Sequence, residues 1–104
     1  MTMCFAGQFA KLDRQLNTDY VALTRKLSGD ARAIELIRES ERAWVDYRGK
    51  ECTVEAYPTE GGSVQPTLES MCLIALTKDR LKIIDGQLNC SGGDLTCILP
   101  PRQP

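Results

Sequence analysis

Residues 4–28, CFAGQFAKLDRQLNTDYVALTRKLS, decide the fold class. Phe5, Phe9, Leu12, Leu16, Tyr20, Leu23 and Leu27 recur at steps of three and four, which is the period of one helix face. Gln8, Lys11, Arg14, Gln15 and Thr18 fill the other faces. Ser28-Gly29-Asp30 ends the pattern, and Asp30 is placed to cap a second helix.

Outward from this stretch, a second helix is expected from about Ala31 to Ala56. Its apolar face is read as Ile34, Ile37, Trp44, Val45, Cys52 and Ala56, with Glu41 and Arg48 on or beside the stripe. Pro58 stops it, and Thr59 to Gln65, with Gly61-Gly62, reads as a loop. Pro66 suits the first turn of a third helix reaching about Leu88, with Leu68, Cys72, Ala75, Leu76, Ile83 and Ile84 facing inward. Asn89 to Pro104 carries two cysteines, Gly92-Gly93 and three prolines, and is not helical. The expected architecture is all-α: an antiparallel three-helix up-down-up bundle over residues 1–88, followed by an irregular disulfide-containing tail over 89–104. At 1.5 Å per residue the second helix spans about 39 Å, so the bundle should be elongated.

Composition narrows the function. A chain of 104 residues is one domain's worth. Its formal charge of −1 gives no overall pull toward nucleic acid or anionic lipid, and none toward a cationic protein either. No apolar run is long enough to span a bilayer. There is no histidine, which removes the commonest general base and the commonest metal ligand together. Asp13, Glu41 and Asp46 have the chemistry for acid–base work, but carboxylates at these spacings belong to solvated faces or salt bridges, so no enzyme, cofactor or metal site is expected.

Five cysteines are dense for this length and point to an oxidising compartment, the periplasm or the exterior. Met1-Thr2-Met3 runs straight into Cys4 without a basic and then apolar leader, so an exported form implies a leader absent from this sequence. With the second and third helices folded back about Gly62, Cys52 and Cys72 fall at the same height, a natural disulfide pair. Cys90 and Cys97 share one short segment and close a local loop. Cys4 starts the first helix at the Gly61-Gly62 end and is left over: free, intermolecular, or lacking a partner outside this sequence. Pairing with Cys97 stays open only if the tail runs back down the bundle. No Cys-x-x-Cys occurs, so zinc is disfavoured.

Trp44 is read as core. Arg48 and Arg80 fall near apolar stripes on neighbouring helices, with Asp13, Asn17 and Glu41 as acceptors in an internal network that fixes register. The alternative is a partner-binding arginine cluster. The loop from Tyr57 to Gln65 is the candidate recognition element, with Glu60, Gly61, Gly62 and Ser63 as contacts; tethering at its base would lower the entropy lost on binding. Its bland reading is a helix connector.

Three segments carry a resemblance. Asp13, Leu16, Asn17 and Tyr20 in LDRQLNTDY (12–20), Arg42, Ala43, Trp44, Tyr47 and Arg48 in ERAWVDYR (41–48) followed by Cys52, and Gly61-Gly62-Ser63, Cys72 and LTKDR (76–80) together resemble the LprI-like lysozyme inhibitor domain over residues 4–84. Glu41 and Gly49 depart from the family's usual residues, and the tail maps to no family feature. The resemblance implies an exported helical domain with the cysteines at 52 and 72 linked, and for some members inhibition of lysozyme. The expected partner is therefore a protein, either a lysozyme-like hydrolase or, in an immunity role, a secreted bacterial toxin. A non-inhibitory envelope assembly module, possible as a homodimer, is the alternative of a different class.

Overall fold

The computed structural model describes residues 2–90 and 94–102; side chains are described from Cys4 onward. Three long helices are joined by tight turns: α1 (Thr2–Lys26), α2 (Ala31–Ala56) and α3 (Gln65–Leu88), with a single 3-10 turn (Tyr57–Thr59) closing α2. The chain runs up, down and up, and α3 packs along both α1 and α2. The bundle measures 54 × 21 × 20 Å, the elongation that long helices and short connections impose.

Local chemistry sets the boundaries. Gly29, at φ 95°, makes the left-handed turn after α1. Asp30 then caps α2, its Oδ1 accepting the Ala33 N–H at 3.1 Å. Pro66 lies in the first turn of α3, where a missing N–H costs nothing.

Leu16, Leu23, Leu27 and Ile84 form the fully buried core, with Ile34, Ile37, Trp44, Leu81 and Leu88 against it. Each fully buried aliphatic chain contributes roughly 1.5–3 kcal/mol. Three residues expected inside stand outside: Val45 and Ile83, 45% and 57% exposed, and Ala75, also exposed. The inner stripe of α3 runs instead through Ile74, Thr77, Arg80 and Ile84, keeping the helical period by passing through two polar residues. On α2 the stripe runs through Glu41, Trp44, Arg48 and Cys52, which turns Val45 outward.

The tail is irregular but belongs to the fold. Ile98 and Leu99 pack against the core at the α1–α2 turn. The Ile98 N–H donates to Gln87 Oε1 (2.9 Å), Gln87 Nε2 donates to the Thr96 carbonyl (2.9 Å), and the Arg102 N–H donates to Asp30 Oδ2 (2.8 Å). Gly92-Gly93, expected inside the Cys90–Cys97 loop, lies outside the described residues.

Candidate functional site

Two features of the interior position the exposed ones. The first is a polar layer across the middle of the bundle. Arg48 on α2 donates through Nη1 to Asp13 Oδ1 of α1 (2.8 Å) and to Thr77 Oγ1 of α3 (3.1 Å), so one guanidinium touches all three helices. Arg80 on α3 donates through Nε to Glu41 Oε1 (2.9 Å) and through Nη2 to Ser40 Oγ (3.2 Å). The Trp44 indole lies between them, 4.7 Å from the Arg48 guanidinium carbon and 5.7 Å from that of Arg80; Phe9 adds a second ring 5.0 Å from Arg48. Both guanidiniums thus have carboxylate, hydroxyl and aromatic partners, and the layer is spent internally. Asn17 differs from expectation: it is exposed and joins neither pair. Asp13 and Glu41 supply the two carboxylates instead, with Thr77 and Ser40 as the hydroxyl acceptors.

The second is the staple. Cys52 and Cys72 are joined by a disulfide, Cα atoms 5.5 Å apart, tying the end of α2 to the start of α3. Cys90 and Cys97 form another at the far end, Cα atoms 5.7 Å apart, and Cys4 is free and exposed. The acid-and-sulfur clusters Cys52–Glu55–Cys72 and Cys90–Asp94–Cys97 hold their sulfurs in these bonds, so they offer no thiolate to a metal.

Beyond the staple, the α2–α3 turn is ordered residue by residue. Thr59 Oγ1 donates to the Ala56 carbonyl (2.8 Å), the Glu60 N–H to Tyr57 (3.0 Å), the Gly62 N–H to Thr59 (2.8 Å), and the Gly61 N–H to Gln65 Oε1 (2.9 Å). Gly61 sits at φ 82°, where a side chain is strained, and a Cβ at Gly62 would meet the Thr59 oxygen at 3.1 Å. Glu60, Gly61, Gly62 and Ser63 are all exposed on this frame, flanked by exposed Tyr57 (67%) and Val64 (46%).

This end is also acidic. From Gly49 to Thr77 the sequence contains one cation, Lys50, against Glu51, Glu55, Glu60 and Glu69. Lys50 is engaged by Asp46 at 3.0 Å. Sequence reasoning that weighed only the near-zero total missed this polarity; the signal was the distribution of charge along the chain.

The family model described as "Lysozyme inhibitor LprI" matches residues 1–83, the whole bundle up to the last turn of α3. The chain belongs to the LprI family. The family's description names an inhibitor of lysozyme, and so a protein as the partner. A relative from Rhizobium meliloti (strain 1021), an uncharacterized protein, is 32% identical over 91 residues, covering 77% of this chain and 66% of its own length. The chain thus spans just under two thirds of that relative. No solved structure matches. Among the described residues no helix is long and apolar enough to cross a membrane.

Proposed function

We propose that this LprI protein is an exported inhibitor of lysozyme or a related peptidoglycan-cleaving enzyme, and that it acts by occluding the enzyme's groove with the stapled α2–α3 turn. The observation that carries the reading is the turn itself. Glu60 to Ser63 project from a frame closed by four hydrogen bonds and a disulfide, so little conformational entropy remains to be lost on docking. Tyr57 supplies an exposed aromatic of the kind that anchors interfaces. Glu51, Glu55, Glu60 and Glu69 supply the field that steers a cationic enzyme, despite the near-neutral total.

The test is a cell-wall lysis assay with purified protein. Inhibition at micromolar excess is expected, weakened by Glu60→Lys and Tyr57→Ala, and falling with salt as exposed charges are screened. A panel of cationic lysozymes lysing at full rate under micromolar excess of native, oxidised protein overturns the lysozyme reading.

A further inference from the structure

At the opposite end of the bundle from the stapled turn, a groove of about 760 Å³ opens between the first turns of α2, the α1–α2 turn and the returning tail. Its walls are Ala33, Leu36 and Ile37 on one side and Ile98 on the other, and Leu36 is 47% exposed although it faces this concavity. The tail makes the groove. Without Ile98 and Arg102, held by Gln87 and Asp30, the face of α2 would be open on one side.

The charges at the groove have one sign left to offer. Asp30 is buried and both its oxygens accept backbone N–H groups, from Ala33 and Arg102. Ser40 is engaged by Arg80. Of the charged side chains along the lining, those of Arg32 and Arg102 remain exposed. Arg32 pairs with Glu35 at 3.2 Å, but both partners are more than half exposed, an arrangement that yields readily to a better-placed anion.

We propose that this groove binds a single-chain amphiphile: an aliphatic tail along Ala33, Leu36, Ile37 and Ile98, with an anionic head between Arg32 and Arg102. The volume lies within the roughly 300–1,000 Å³ typical of small-molecule sites. A guanidinium's planar fork suits a carboxylate or phosphate head. The site is separate from the proposed inhibitory turn and stands or falls without it.

The experiment is isothermal titration of the full chain with dodecanoate, below its micelle concentration. Expected is saturable one-to-one binding, at least about tenfold tighter than for dodecyltrimethylammonium, since one charge-assisted contact corresponds to about that factor. Leu36→Asp should weaken dodecanoate by at least about tenfold with the far-ultraviolet dichroism unchanged. Arg32→Gln with Arg102→Gln should abolish the preference over the cationic detergent while leaving uncharged dodecyl maltoside unaffected. Absence of saturable heat overturns the proposal. So does equal affinity for the cationic detergent, or a Leu36-dependent dimer in sedimentation that dodecanoate does not disperse, which would assign the groove to a second copy.

Discussion

Glu41 and Arg80 meet at 2.9 Å with side chains 11% and 8% exposed, so neither charge has much water to fall back on. Removing one partner strands the other. Arg80→Ala is expected to cost about 3 kcal/mol or more in urea unfolding, whereas the double exchange Arg80→Met with Glu41→Met should recover most of it. Arg48→Ala is the milder counterpart, because Asp13 is a third exposed and rehydrates. Asp30 gives a pH dependence. Hydrogen bonds from the Arg102 and Ala33 backbone N–H groups hold its carboxyl below the ordinary 3.8. A depressed acid stabilises the fold in full above its unfolded value and loses that contribution as pH falls through the folded one. Asp30→Asn should therefore flatten the fall in stability below pH 3.8, read from thermal melts across an acid series.

At the scale of elements, the Cys52–Cys72 bond closes a sequence separation of 20, for which loop entropy gives about 3 kcal/mol. Replacing both cysteines by alanine should lower stability by that order and weaken inhibition further than stability explains, since the turn loses its brace. Gly61→Ala should reduce inhibition with the disulfide intact, as φ 82° costs an L-residue roughly 1 kcal/mol. Helix spans, turns and the level placement of Cys52 and Cys72 were legible in the sequence because period, capping and hairpin symmetry are local rules. The inward face of α3 was not. Arg80 was legible as a member of an internal network, but Thr77 is fully buried beside it, and a reading that follows hydrophobicity turns Ala75 and Ile83 inward instead. Nor was the docking of Ile98 and Leu99 legible, because a Pro-rich segment has no period to follow and its anchors, Gln87 and Asp30, are chosen by tertiary proximity.

For the whole molecule, a radius of gyration of 16.3 Å compares with about 13 Å for a compact domain of this length. The rod separates its two exposed features: the acidic stapled turn at one pole, the apolar groove with its arginines at the other. A partner seated on the turn leaves the groove open. Lysis inhibition measured with dodecanoate present should therefore equal inhibition without it, and a loss of inhibition would reveal coupling along the helices.

The lone indole of Trp44 is also a built-in optical gauge. Wedged between two guanidiniums at mid-rod, it senses whether the three helices remain in step and is remote from events at either tip. Its emission should stay constant while ligands come and go, and shift only when the central seam slips.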